Sequence, residues 1–318
     1  MSNPWSRLAP TRPGHGPDGC WLKPGRLPPP TIGRVSVDHY ENFPVASLLC
    51  PPALRAPVAA LYHFARSADD LADEGSASPA ERRLQLAAYR QALDAAYRGQ
   101  PANGPWAAVF GPLTTAIQQH WLPAPLLHAL LDAFEQDTHN PRYPDRAALL
   151  DYCSRSANPV GRLVLHLAGV QDALSLRQSD AICSALQLIN FWQDPSIDLP
   201  RGRNYLPLAD LQRHGVATDT RLDARDTPAT QALLADLCGW ALDLMQQGAP
   251  LACRVPGRLG WELRLVVQGG LRILETIQAM QYRTLGQRPS LRKRDGAILL
   301  WRALRMRQAQ PTPGFPLR

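Results

Sequence analysis

Asn190, Asp194 and Asp198 step by four residues along a segment that is otherwise apolar (Leu186, Leu188, Ile189, Phe191, Trp192). Residues four apart share one face of a helix, so the segment predicts a polar stripe on an apolar helix. Buried carboxylates need partners, and the rest of the chain has to fold so as to supply them. Far upstream, Arg66-Ser67-Ala68-Asp69-Asp70-Leu71-Ala72-Asp73-Glu74 poses the same problem. Asp69 and Asp73 fall on one helical face with Asp70 beside them, and like charges at that spacing repel. A solvated acidic face is the simpler account of an isolated DDxxD. Here Ala59, Ala60, Leu61, Phe64 and Ala65 surround it with apolar surface. A divalent cation removes the repulsion, and Mg²⁺ takes hard oxygen ligands shared between carboxylates and substrate phosphates. Two such stripes facing each other across a helical bundle would cage a diphosphate with its Mg²⁺ ions. Arg201-Gly202-Arg203-Asn204-Tyr205 follows directly, and arginine grips phosphate oxygens in bidentate fashion.

The rest of the chain reads as helix after helix. Of its 318 residues 45% are hydrophobic, enough for a sizeable core. Val-, Ile- and Thr-rich strand patterns are scarce, while Ala and Leu dominate the middle. The first helix is expected to run through Leu61, Tyr62 and Phe64 toward Asp73 and to stop near Gly75. Ser78-Pro79-Ala80-Glu81 is a helix start, with serine as cap, proline in the first turn and glutamate completing a capping box. Asp145 opens a helix carrying Leu149, Leu150, Tyr152 and Cys153. A long apolar helix is expected from about Ser179 to Asp198, another from about Thr230, and a final pair around Gly269-Gly270 and the Arg-rich end. Pro195 removes one helical hydrogen bond inside the second acidic motif and disfavours helical geometry at Asp194, so a kink is expected there.

Residues 1–35, rich in Pro, Gly and Arg, read as a loosely ordered leader. Gly14, Gly16 and Gly19 spell GxGxxG, but no strand precedes them and Pro17 interrupts them, so they make no dinucleotide site. One helical domain over 36–309 and a tail over 310–318 complete the organisation. The formal charge of +7 comes almost wholly from arginine; Lys23 and Lys293 are the only lysines. Such a surface suits nucleic acid, an anionic membrane face or a phosphorylated substrate. No nucleic-acid-binding fingerprint supports the first, and the acidic stripes would repel phosphate without metal. The six cysteines are scattered without a CxxC pair and read as buried or incidental thiols of a reducing compartment. No apolar run reaches membrane-spanning length and no signal-peptide core is visible, so a cytoplasmic protein is expected. Peripheral contact at the inner membrane face stays open. The Arg-rich C-terminal segment reads first as a solvated helix face, with membrane-surface docking as the second reading.

Taken together these residues resemble the squalene and phytoene synthase family over about His39 to Leu304. The resemblance rests on Tyr62, Arg66 and Asp69–Asp73, on Asn190, Asp194, Asp198, Arg203 and Tyr205, and on Tyr152-Cys153-Ser154-Arg155-Ser156-Ala157-Asn158-Pro159-Val160-Gly161 between them. His39-Tyr40-Glu41-Asn42-Phe43-Pro44, the Ser156–Arg162 string and Gln287-Arg288-Pro289-Ser290-Leu291 look like the bacterial hydroxysqualene synthase branch.

The resemblance implies an all-α fold, a single-domain isoprenoid synthase helical bundle with a central cavity. It implies a carbon–oxygen lyase of hopanoid and squalene biosynthesis that converts presqualene diphosphate and water to hydroxysqualene and diphosphate, without NADPH. Three Mg²⁺ ions would be held by Asp69, Asp73, Asp194 and Asp198 with help from Asp70 and Asn190. Arg66 and Arg203 would add fixed positive charge, and Tyr62, Tyr152 and Tyr205 would line the site. His39, Phe43 and Asn158 are expected to contact substrate. Tyr152 is equally open to a core role. Handover of the substrate from a presqualene diphosphate synthase stays open. Two alternatives stand beside this reading: a head-to-head condensing squalene or phytoene synthase, and a catalytically silent assembly or lipid-binding relative.

Overall fold

The computed structural model describes residues 49–218 and 225–306. The expected leader and tail, and the segment carrying His39 and Phe43, lie outside the described residues. Among the described residues 73% are helical and none is in a strand.

Helix α1 (Pro52–Asp73) starts with proline in its first turn and ends where Glu74 turns extended. Helix α2 (Pro79–Tyr97) opens on the expected capping box, the Ser78 hydroxyl accepting from Glu81 N–H while the Glu81 carboxylate accepts from Ser78 N–H. Helices α3 (Ala107–His120) and α4 (Ala124–Asp137) follow. Asp145 caps α5 (Arg146–Ser156) by accepting from Ala148 N–H at 2.9 Å. Next come α6 (Asn158–Leu167), α7 (Ala173–Gln193) and the single turn α8 (Pro195–Asp198), which runs into a 3-10 turn, Leu199–Arg201. The remaining helices are α9 (Leu208–Arg213), α10 (Pro228–Gly248), α11 (Leu251–Arg254), α12 (Gly257–Ala279) and α13 (Asp295–Arg305).

The long helix expected to reach Asp198 stops at Gln193 instead. Proline at 195 has no N–H to offer and crowds the residue before it, so Asp194 leaves helical geometry at φ −107°, ψ 16°. The chain restarts as α8, and Asp198 N–H still reaches the Asp194 carbonyl at 2.9 Å. The second acidic motif is therefore a helix end plus one extra turn, not a continuous stripe.

Two apolar cores hold these helices. One gathers α1, α2, α3 and α4 around Phe64, Tyr89, Leu93, Leu113 and Leu127, all fully buried. The other gathers α5, α7, α10 and α12 around Leu188, Ile189, Trp192, Leu233 and Met245. Each such side chain contributes about 1.5–3 kcal/mol by leaving water. Helix α6 serves both, with Leu163 in the first core and Leu165 in the second. The first acidic motif thus rides on one core and the second on the other. Among the described residues no helix is long and apolar enough to cross a membrane.

Candidate active site

Arg203 brings the two acidic motifs together. Its guanidinium hydrogen-bonds the Asp73 carboxylate at the end of α1, and its Nε lies 3.2 Å from Asp198 Oδ1. The turn after α8 aims it there, with Arg203 N–H donating to the Asp198 carbonyl at 3.0 Å. Nε is buried and faces the Asp198 carboxylate as an ion pair.

Arg66 serves the first motif from within its own helix. It pairs with Asp70 at 2.8 Å, with Asp69 at 3.4 Å and with Glu74 at 2.8 Å. The Asp69 and Asp70 pairings follow from residues three and four apart being neighbours on a helix, whereas Glu74, eight residues on, is the extended C-cap of α1. Tyr62 sits half-buried one turn before Arg66 on α1. In the second motif Asp194 is gripped by Arg288, Nε on one carboxylate oxygen and a terminal nitrogen on the other at 3.2 Å. The Arg288 segment is anchored by the neighbouring Gln193, whose buried side chain donates to the Pro289 carbonyl at 2.8 Å. Asn190, half-buried one turn earlier, accepts the Asp194 N–H at its carbonyl. Burial pushes the Asp198 carboxyl up to about 6, Arg203 works against it, and the Asp194 charge adds to it.

An aromatic wall lies beside these charges. Tyr205 stacks on Phe191, centroids 3.7 Å apart and planes within 10°. Tyr152 lies 5.6 Å from Tyr143, 6.2 Å from Phe191 and 6.3 Å from Tyr205 by ring centroid. Its hydroxyl donates to Asp137 Oδ2 at 2.8 Å. Burial pushes the Asp137 carboxyl up to about 7; the Tyr152 hydrogen bond opposes this and the Asp69 charge reinforces it. Burial and the Asp137 charge also raise the Tyr152 phenol well above its ordinary range. The Asn158 side-chain carbonyl accepts from Ser184 Oγ at 2.9 Å, tying α6 to α7.

Asp137 and Arg288 took no role in the sequence reading. Asp137 ends α4 with no acidic neighbour at helical spacing, and its link to Tyr152 exists only once α4 and α5 pack. Arg288 stood in a string that carried resemblance without chemistry. Its partner Asp194 was in view, but nothing local joins residues so far apart.

Among the described residues no three His, Cys, Asp or Glu side chains converge as a metal-binding group. The carboxylates are held by arginines instead. The donor set still fits Mg²⁺ chemically: hard carboxylate oxygens from two motifs that Arg203 links, with phosphate oxygens of a ligand left to complete the shell. Arg203, paired with carboxylates of both motifs, places a guanidinium charge suited to the same anionic ligand.

The sequence model of squalene/phytoene synthase matches residues 37–295. The chain belongs to this family. It is 33% identical to the hydroxysqualene synthase of Sinorhizobium fredii over 77% of this chain and 82% of that one. It is 31% identical to the phytoene synthase of Thermus thermophilus over 88% and 93% respectively. Its fold matches the crystal structure of squalene synthase HpnC from Alicyclobacillus acidocaldarius with a TM-score of 0.70, at 38% identity, covering 77% of this chain and 90% of that one. Squalene/phytoene synthases are enzymes that act on prenyl diphosphates, and the all-α fold of this chain is the isoprenoid synthase helical fold.

Proposed function

We propose that this member of the family is a Mg²⁺-dependent hydroxysqualene synthase, converting presqualene diphosphate and water to hydroxysqualene and diphosphate. The observation that carries the reading is Arg203 spanning Asp73 and Asp198, which sets both acidic motifs against the wall of Tyr143, Tyr152, Phe191 and Tyr205. The similarity to hydroxysqualene synthases supports the branch.

Asp69, Asp70, Asp73, Asp194 and Asp198 would hold Mg²⁺, with Asn190 assisting. When bound, the metal supplies Lewis-acid charge to the diphosphate oxygens. Arg66, Arg203 and Arg288 exchange carboxylate contacts for phosphate contacts as the ligand arrives. The C–O bond breaks with its electron pair leaving on diphosphate. The faces of Phe191, Tyr205 and Tyr152 stabilise the resulting carbocation, as ring quadrupoles attract cations. The surrounding apolar helices exclude bulk water. That cyclopropylcarbinyl cation rearranges with opening of its three-membered ring. One water oxygen then bonds to the rearranged cation, and its proton passes through the Tyr152 hydroxyl to Asp137. A carboxyl near 7 is matched to that task at neutral pH.

Head-to-head condensation is the second reading, supported by the similarity to a phytoene synthase over 93% of its length and to presqualene diphosphate synthases. Purified chain incubated with presqualene diphosphate and Mg²⁺, without NADPH, should release hydroxysqualene, identified by mass spectrometry and abolished by EDTA. Inertness there with condensation of farnesyl or geranylgeranyl diphosphate would replace the first reading by the second. Inertness on every prenyl diphosphate offered would leave a silent relative.

A further inference from the structure

Helix α13 presents one face to α12 and another to solvent. Inward, Ala303 is fully buried and Asp295 is 3% exposed, paired with Arg272 of α12 at 2.8 Å. Arg302 reaches Glu275 of α12 from the same side. Outward, Leu300, Trp301 and Leu304 are 54%, 52% and 60% exposed, and Ala297 joins them. At about 100° per residue these four make one apolar stripe. Lys293, Arg294 and Arg305, all exposed, flank it. The Arg305 guanidinium lies over the Trp301 ring, 4.2 Å from its centroid. Asp295 is the only acid on the helix, and it is turned inward. The outer face is therefore apolar at its centre and purely cationic at its margins.

We infer that this face of α13 is a docking surface for an anionic lipid bilayer. A helix of 11 residues is about 16 Å long, roughly half a bilayer's hydrocarbon thickness, so it lies in the interface plane. Tryptophan with leucines at the apolar centre and basic side chains at the rim is the pattern that such a position selects. Charge decides between occupants. A second copy docked by this face across a two-fold axis would set Lys293, Arg294 and Arg305 against their own counterparts. Residues 307–318 bring two more arginines and no acid. An acidic lipid surface instead neutralises every one of these charges.

The test uses the full chain and vesicles of either phosphatidylcholine alone or an equal mixture with phosphatidylglycerol. The chain should sediment with the anionic vesicles, weakly with the neutral ones, and release with rising salt. Trp301→Ser combined with Leu304→Ser should abolish sedimentation. Lys293→Glu combined with Arg305→Glu should lower partitioning by about twenty-fold or more, since each basic residue near an anionic surface is worth about fivefold. Both variants should keep the parent melting temperature, because the altered side chains point to solvent. Equal sedimentation of parent and variants overturns the inference. So does absence of binding by the parent, or a concentration-dependent dimer that Trp301→Ser and Leu304→Ser dissolve without any vesicle binding.

Discussion

The Tyr152 hydroxyl donates a 2.8 Å hydrogen bond to Asp137, joining the end of α4 to the middle of α5 beside the aromatic wall. Phenol and carboxyl act as one unit, so their removal should not be additive. On presqualene diphosphate, Asp137→Asn and Tyr152→Phe should each lower kcat by about 10²–10⁴-fold. The double variant should be little worse than either single one. Steady-state kinetics of the three variants decides it. Losses that multiply, or a loss confined to KM, would remove Asp137 from proton transfer.

The same carboxyl sets a pH dependence of stability. Between its ordinary value of 3.8 and about 7, folded Asp137 keeps a proton that the unfolded chain has released. The folded state binds more protons across that window, so this group's contribution falls as pH rises through it. Asparagine has no such proton. Asp137→Asn should therefore gain on the parent in chemical denaturation as pH climbs from 4 to 8. A constant difference across that range would mean that the carboxyl titrates normally.

Arg203 faces three obligations at once: Asp73, Asp198 and the incoming diphosphate. If the acidic motifs take up Mg²⁺ with diphosphate, the two ligands together should raise the melting temperature by several degrees, more than either alone, since binding to the folded state stabilises it by mass action. Asp198→Asn should lose most of that shift, and EDTA should reverse it. Arg203→Lys should retain part of it, because a lysine keeps the charge without the fork. A shift produced by diphosphate alone and indifferent to EDTA would leave the arginines as the whole of the anion site.

What the sequence disclosed depended on how locally each feature is encoded. The Ser78–Glu81 capping box and the Asp145 cap are three-residue events, and both stand where spacing put them. The family was legible because its acidic motifs are contiguous strings. The break at Asp194 was foreseeable from Pro195, yet whether α8 would resume depended on Asp198 N–H finding the Asp194 carbonyl, which only the backbone path decides. The partnerships Asp137–Tyr152, Arg203–Asp73 and Arg288–Asp194 join segments distant in sequence, the two arginines from loops, and leave no periodic trace. Asn158, singled out for substrate, accepts a hydrogen bond from Ser184, a contact that depends on α6 crossing α7.

That crossing, and the one between α10 and α7, rest on glycines whose replacement separates two kinds of crowding. A Cβ at Gly161 would fall 2.4 Å from Ser179 Oγ and 2.5 Å from Cys183 Sγ, both side-chain ends on α7 that can swing aside. A Cβ at Gly248 would fall 2.6 Å from the Gln178 carbonyl oxygen and 2.8 Å from Ile182 N, which belong to the α7 backbone and cannot move without displacing the helix. Overpacking a core costs about 1–3 kcal/mol, more where nothing yields. Gly161→Ala should therefore sit near the lower end, about 1 kcal/mol, and Gly248→Ala at or above about 3 kcal/mol. Urea unfolding of the two variants reads the difference directly as a shift in midpoint at constant slope. Equal costs, or a larger one at Gly161, would mean that the α6–α7 contact, not the α10–α7 contact, is the unyielding one.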